Sequence, residues 1–299
     1  MNRALLAAAA TGVQVGSALV ASEAIVAQVG AGRLGFLRYA IALVFLLPFV
    51  WRSKAPQFAP RDLLPVALIG LGQFGLLIAL LNLAVLHASS ARVSLVFATL
   101  PLMTIAVGWV AFRTGISGKN IAAISLTVVG VAVLLGGEAI GGGIALSEWV
   151  GLGCAVLATL TGAVCSAFYG PYLRRYGVVK VSAIAMGASL VPLGILAMFE
   201  GGGTAVSTWG AQVFLLIGFV GLSSGIGYLM WLYALTHAPA GVVTAFLALS
   251  PITAVALSML VLDTPASAPL FAALGLIIAG LAAMALTSSR EKSHVRRHR

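Results

Sequence analysis

The chain has 299 residues, of which 61% are hydrophobic and 8% are charged, with a formal net charge of +10 and a mean hydropathy of +1.11. This composition leaves too few polar residues to cover a water-soluble globule, so it excludes that class of protein. The chain therefore belongs in a lipid bilayer.

Ten stretches are apolar enough to cross about 30 Å of hydrocarbon as helices of about 20 residues. The predicted spans are residues 4–22, 33–51, 63–83, 91–111, 119–136, 149–168, 179–199, 211–234, 241–261 and 268–286. Their apolar runs are continuous, whereas the strands of a membrane barrel alternate over about ten residues. The sequence thus predicts an all-α integral membrane protein. We interpret the first stretch as a retained helix, with a cleaved signal peptide as the alternative.

The first two spans contain polar residues that need partners. Gln14 and Ser17 lie one turn apart, and amides in hydrocarbon are costly unless they face the protein interior or a wet cavity. Glu23 and Arg38 are opposite charges expected at similar depth toward the external side of adjacent helices. We predict a salt bridge or an outer gate between them. A structural pair, or two side chains extended to the interface, is the alternative.

The third span carries two amides, Gln73 and Asn82. Nine positions separate them, which places them on roughly opposite helix faces at about 100° per residue. Both cannot face one narrow cavity, and we favour Gln73 because it lies nearer the middle of the span. A contact between helices is the alternative to a contact with a substrate.

The fourth and ninth spans carry matched prolines near their middle, Pro101 and Pro251. A proline removes one helical hydrogen bond, so it can bend the helix or expose backbone to a ligand. Ser94 and Phe97 lie two turns and one turn before Pro101. Thr244 and Leu247 hold the equivalent places before Pro251. These faces are predicted to line a pathway or to form its hinge, and a static kink is the alternative.

The eighth span offers the clearest candidate face. Ser224, Tyr228 and Trp231 follow an i, i+4, i+7 spacing and therefore share one side of the helix. Aromatic walls and hydroxyl groups suit an amphipathic or aromatic metabolite, whereas packing or interface aromatics are the alternative. Thr161 and Tyr169 in the sixth span are further candidates.

The basic residues mark the sides of the membrane. We assign the N-terminus, the even-to-odd connections and the C-terminus to the cytoplasm, which then holds 14 of the 17 basic residues. The three others are Arg33, Arg38 and Arg92. The basic tail at residues 290–299 is predicted to contact anionic lipid rather than nucleic acid.

The chain repeats itself at a spacing of 150 residues. Residues 71–133 and 221–283 share 15 identities in 63 positions, where composition alone gives about six. The repeats comprise residues 1–136 and 149–286, joined by a linker at 137–148 and followed by a basic cytoplasmic tail at 287–299. Five spans per repeat make the second copy enter the membrane from the opposite side. The sequence therefore predicts a 5+5 inverted repeat, a device for alternating access around a midplane site.

Local motifs in the second repeat resemble a known family. They are Tyr233-Ala234-Leu235, Ala238-Pro239-Ala240, Leu249-Ser250-Pro251, Asp263 and Gly280. This pattern resembles the last three helices of an EamA-type member of the drug/metabolite transporter superfamily, and Arg38 stands where the family commonly has an arginine. The resemblance implies a bacterial inner-membrane carrier, often an exporter of amino acids or other small metabolites. One departure is that Arg113 replaces the acidic residue that the second half keeps as Asp263.

The leading hypothesis is secondary transport of a small molecule, with no covalent chemistry and no cofactor or metal. A membrane channel, a non-conducting scaffold and a membrane-embedded enzyme are the alternatives, the last without any HExxH, Walker or nucleophile motif. Cys154 and Cys165 lie 11 residues apart on one predicted helix, so they cannot form a disulfide with each other. Ten helices are enough to enclose a cavity, so a monomer could be functional.

Overall fold

The computed structural model describes residues 3–113, 118–141, 145–200, 203–237, 246–265 and 267–297. All regular secondary structure in these ranges is helical, which confirms the all-α prediction. The α-helices are α1 Arg3–Val29, α2 Ala31–Arg52, α3 Pro60–Gly70, α4 Leu77–His87, α5 Ser90–Phe97, α6 Leu100–Phe112, α7 Gly118–Gly141, α8 Leu146–Tyr176, α9 Val178–Phe199, α10 Ala211–His237, α11 Leu249–Val261 and α12 Ala268–Arg297. A π-helical turn, Leu71–Leu76, joins α3 to α4, and 3-10 turns lie at Val206–Thr208 and Phe246–Ala248.

Seven helical segments in the described ranges are long and apolar enough to cross a membrane. They are Arg3–Val29, Ala31–Arg52, Pro60–His87, Ser90–Phe112, Leu146–Tyr176, Val178–Phe199 and Ala211–Trp231. Three shorter apolar stretches accompany them, Ile121–Leu134, Phe246–Val261 and Ala268–Ala283. The chain is therefore a multi-pass helical membrane protein.

Both mid-span prolines begin a new helical segment. The chain leaves regular helix at Ala98 and Thr99, and Pro101 is the second residue of α6. Pro251 is the third residue of α11, directly after a 3-10 turn. The first amides of a helix have no intrahelical partner, so a proline there costs no helical hydrogen bond. A break in the span thus replaces the predicted bend or kink within one helix.

The helices α6 and α11, which begin near Pro101 and Pro251, are each followed by a residue with the same unusual backbone conformation. Arg113 follows α6 with φ 49°, and Asp263 lies just beyond α11 with φ 51°. Side chains other than glycine seldom adopt this left-handed backbone. The two positions are 150 residues apart, so the same turn recurs at equivalent places with opposite charges.

Close helix approach surrounds α1, which packs against α10 and α11. Gly12 faces the carbonyl oxygen of Phe246, and Gly16 faces that of Ser250. A Cβ at either glycine would overlap the backbone oxygen it faces, so only glycine allows this separation. These contacts hold α1 of the first half against the proline helix of the second half.

A second seam joins α7 to α12, and it pairs equivalent positions of the two halves. Gly130 lies against Ile277, and Gly280 lies against Thr127. Because 127 corresponds to 277 and 130 to 280 at the repeat spacing, each half contributes the same two positions. Reciprocal pairing of this kind is what a two-fold axis produces at an interface.

Candidate functional site

A cavity of about 310 Å³ lies between the two halves of the chain. Residues from α1, α2, the π-helical turn, α4 and α5 form one part of its wall, and residues from α9, α10 and α11 form another. Its polar lining residues are Thr11, Gln14, Arg38, Gln73, Ser224 and Ser250, and its aromatic ones are Tyr39, Phe74, Phe97, Tyr228 and Trp231. Cavities of this size, with a few polar groups in apolar walls, are typical small-molecule sites.

The cavity brings together many of the residues singled out in the sequence. Six of the substrate-binding candidates line it: Gln14, Gln73, Phe97, Ser224, Tyr228 and Trp231. The helical face with i, i+4, i+7 spacing on α10 therefore points into the cavity as a unit. Asn82 points elsewhere, since its amide nitrogen donates to the Ala31 carbonyl oxygen at 2.8 Å.

The other candidate hydroxyl residues do not line this cavity. The hydroxyl groups of Ser17, Ser94 and Thr161 each donate to a carbonyl oxygen of their own helix, at 2.9, 2.7 and 2.7 Å. Tyr169 is buried in the main hydrophobic core, and its hydroxyl has no hydrogen-bond partner. A serine or threonine in a helix readily satisfies itself in this way, so polarity alone does not place it on a cavity. Thr244 lies outside the described residues.

Equivalent helices of the two halves present the same face to the cavity. Phe74, Leu77, Ile78 and Leu81 of the first half correspond, at a spacing of 150, to Ser224, Gly227, Tyr228 and Trp231 of the second. Phe97 and Leu247 form a fifth matched pair on the wall. The first-half face is wholly apolar, whereas the second-half face carries two hydroxyl groups and an indole. An amphipathic molecule therefore meets chemically different walls on its two sides.

The π-helical turn positions Gln73 and Phe74. A π turn widens the helix locally and re-aims its side chains, and such turns are frequent at functional sites. Phe74 packs edge-on against Tyr39, with ring centroids 5.2 Å apart. The amide oxygen of Gln73 is buried without a hydrogen-bond partner. Gln73 thus supplies an unused acceptor at the cavity wall.

Two further polar groups on the wall are held in place by hydrogen bonds. The Gln14 amide nitrogen donates to the Ser223 hydroxyl at 3.2 Å, which ties α1 to α10. The Ser182 hydroxyl donates to the Tyr228 hydroxyl at 2.5 Å, which ties α9 to α10.

The predicted ion pair between Glu23 and Arg38 is not formed. The Glu23 carboxylate accepts a hydrogen bond from the Ser90 backbone N–H at 2.7 Å, at the start of α5. The Arg38 guanidinium donates to the Ser22 hydroxyl at 3.4 Å and lies on the cavity wall. The prediction was wrong because it used depth in the membrane alone. A carboxylate is stabilised by the amide dipoles of a helix N-terminus, and that contact separates the two charges.

Sequence reasoning missed several wall residues. Tyr39, Met186 and Ser250 line the cavity, and Arg38 does so instead of closing an outer gate. The repeat spacing could have found Phe74, because its counterpart Ser224 was already a candidate. Nothing in the sequence indicated Met186, whose place depends on the packing of α9.

Polar contacts fasten α2 and α9 together at both ends. At one end the Glu200 carboxylate, just after α9, accepts from the backbone N–H groups of Ala31 and Gly32 at 2.6 and 2.8 Å. At the other end the Lys180 ammonium donates to the carbonyl oxygen of Ala55 in the loop after α2. We call these two groups of contacts the end clamps. A separate contact nearby joins α3 to α8, where the Asp62 carboxylate accepts from the Tyr176 hydroxyl at 2.5 Å.

Multiple apolar helices around a partly polar cavity define the class of a polytopic membrane protein that handles a small molecule. The sequence pattern of the EamA-like transporter family matches residues 2–136 and 149–286, so the chain belongs to this family and contains two copies of its domain. This confirms the family predicted from the motifs. It also indicates a transporter of a small molecule rather than an enzyme.

Individual proteins similar to this chain include one curated relative and one solved structure. A protein of Streptantibioticus cattleyicolor named "Probable terminal-alkyne amino-acid exporter" is 30% identical over 229 residues, which cover 74% of this chain and 73% of that protein. A solved crystal structure with 20% sequence identity covers 96% of this chain and 98% of its own, with a TM-score of 0.68. At that identity the second likeness concerns the fold alone.

Proposed function

We propose that the protein is a secondary transporter that exports amino acids or related amphipathic compounds by alternating access around the central cavity. The observation that carries the proposal is the matched lining of the cavity by equivalent helices of both halves. A site shared between two similar halves can open to either side when the halves exchange conformations. The name of the S. cattleyicolor relative supports an amino acid as the substrate class.

The topology that goes with this proposal is ten spans in a 5+5 inverted repeat, with both termini in the cytoplasm of a bacterial inner membrane. Ten crossings would use the seven long segments and the three shorter apolar stretches. The reciprocal pairing of α7 with α12 supports a two-fold relation between the halves. The excess of basic residues in the connections assigned to the cytoplasm supports the orientation.

The proposed movement is a rocking of the helices about the breaks that precede Pro101 and Pro251. A broken span has free backbone groups and few hydrogen bonds across the break, so it bends there at low cost. Phe97 and Leu247 lie at the two breaks and on the cavity wall, so bending would change the cavity shape directly. One chain contains the whole cavity, which supports a functional monomer within the bilayer.

Exchange in proteoliposomes tests the transport proposal. Vesicles preloaded with an unlabelled amino-acid mixture, including aromatic amino acids, should take up labelled amino acids with saturable kinetics and counterflow. Flux proportional to concentration would instead indicate a channel, and no flux for any metabolite would indicate a scaffold. A run with a pH gradient measures coupling to protons.

Two tryptophan variants place the transport path. Trp231→Ala removes an aromatic wall of the cavity, and loss of buried aromatic contact is expected to weaken exchange by about tenfold or more. Trp109→Ala is the matched control, because Trp109 on α6 is 54% exposed and does not line the cavity. Exchange that survives Trp231→Ala unchanged would place the path elsewhere.

A further inference from the structure

Arg38 is the one cation on the cavity wall among the residues that the structure describes. It is only 6% exposed and lies about 5 Å along the axis from the middle of α2. A guanidinium remains protonated in proteins, so this is a permanent positive charge deep in the helix bundle. Such a charge inside a membrane protein requires a partner.

The described carboxylates do not supply that partner. Five acidic side chains are described, and none of them lines the cavity. Their places are Glu23 at the start of α5, Asp62 at Tyr176, Glu148 at Arg92, Glu200 at the start of α2, and Asp263 exposed beyond α11. The positive charge in the cavity therefore lacks a balancing anion from the described part of the protein.

The hydrogen-bonding capacity of Arg38 is also largely unused. Among the described residues its hydrogen bond is the 3.4 Å contact from Nη2 to the Ser22 hydroxyl, and its buried Nε has no partner. A guanidinium offers five N–H donors in a planar fork that matches the two oxygens of a carboxylate. Leaving a buried charged group unpaired is expensive, so the cavity favours an anionic ligand that accepts these bonds.

We propose that Arg38 is the anion anchor of the cavity and that it binds the carboxylate of the transported amino acid. This assignment rests on the proposed function and names the residue that recognises its substrate class. The unpartnered amide oxygen of Gln73 accepts a hydrogen bond from the substrate ammonium group. The substrate side chain then lies against Tyr228 and Trp231.

Binding of matched acids and amides tests the anchor. The probes are leucine, phenylalanine and propargylglycine, each beside its amide, titrated by calorimetry into the purified full-length protein. We expect at least one acid to bind about tenfold or more tightly than its amide in the wild type, because a charge-assisted hydrogen bond contributes that much. Arg38→Gln should reduce this ratio to about twofold or less, since a neutral amide gains little from either ligand.

A control variant separates the anchor from the overall charge. Arg52→Gln removes one positive charge at the exposed end of the same helix, and the acid-to-amide ratio should remain at its wild-type value. If size-exclusion chromatography shows that Arg38→Gln does not fold, the acid-to-amide ratio is measured on Arg38→Lys instead. Lysine keeps the charge but loses the planar fork, so the ratio should fall several-fold.

Four outcomes would overturn the anchor: no acid preferred over its amide in the wild type, a ratio that survives the deciding Arg38 variant, equal loss in Arg52→Gln, or inorganic phosphate bound in preference to every acid. The exchange assay keeps the proposed function separate. If the Arg38 variant exchanges amino acids as well as the wild type does, the proposed transport function stands and Arg38 is not the anchor. An Arg38-dependent preference for acids without any exchange retains the anchor and rejects amino-acid transport.

Discussion

Replacing Gly16 by alanine should weaken the protein, because Gly16 is where α1 meets α11. A Cβ there would overlap the Ser250 carbonyl oxygen and would lie 2.9 Å from the Cβ of Thr253 and 3.0 Å from the backbone nitrogen of Ala254. Ordinary contacts between such atoms begin near 3.5 Å, so α11 must move by roughly half an ångström to one ångström. Backbone cannot rotate away as a side-chain end can. We expect the strain to cost about 1–3 kcal/mol, as in other overpacked cores.

The matched control is Gly218→Ala on α10, where a Cβ would meet no atom within 4 Å. Both substitutions gain up to about 1 kcal/mol from the higher helix propensity of alanine. The difference between the two variants therefore isolates the clash at Gly16, and it should be about 1–3 kcal/mol. The free energy of unfolding in mixed micelles, titrated with sodium dodecyl sulfate, measures it. Equal stability of the two variants would refute the close approach of α1 to α11.

Three further substitutions test the cavity, the contact between α3 and α8, and one of the end clamps. Gln73→Leu should raise the KM for exchange several-fold without lowering the free energy of unfolding, because the amide oxygen has no partner to lose. The exposed control Gln212→Leu should change neither quantity, and an unaltered KM in Gln73→Leu would contradict a role in binding. Asp62→Asn weakens the charge-assisted bond from the Tyr176 hydroxyl, so unfolding should become easier by about 1–2 kcal/mol in the same micelle titration. Glu200→Gln removes the negative charge at the start of α2, so the free energy of unfolding should fall by about 1 kcal/mol relative to the wild type. This difference between variant and wild type should disappear at high salt, because salt screens the charge.

Hydropathy and helical spacing were sufficient for much of the architecture and for one wall of the cavity. The apolar segments can be recognised in the sequence because each helix that crosses the bilayer needs its own continuous apolar stretch, long enough to span the hydrocarbon. Ser224, Tyr228 and Trp231 were found because their spacing fixes one helix face. The composition of that face, with two hydroxyls and an indole, then indicated a cavity for an amphipathic or aromatic metabolite.

The remaining site depends on packing between helices that are distant in the sequence. Spacing shows which residues share a face but not which helix that face meets, so Arg38 was placed at the outer side. The π-helical turn around Gln73 has no reliable local signal, because its residues fit an ordinary α-helix equally well. The break before Pro101 was anticipated only as a bend, since a proline is compatible with a kink or with a new helix start.

The end clamps have a mechanical consequence. A pair of antiparallel helices fixed to each other at both ends cannot slide or splay, so we expect α2 and α9 to behave as a strut of constant length. Arg38 belongs to this strut, and Ser182, which holds the Tyr228 hydroxyl, belongs to it as well. In the proposed rocking movement, the groups that face the ligand from these two helices would keep their mutual distance while the broken spans bend. The ligand would then be held by a rigid pair of helices while the other walls of the cavity move.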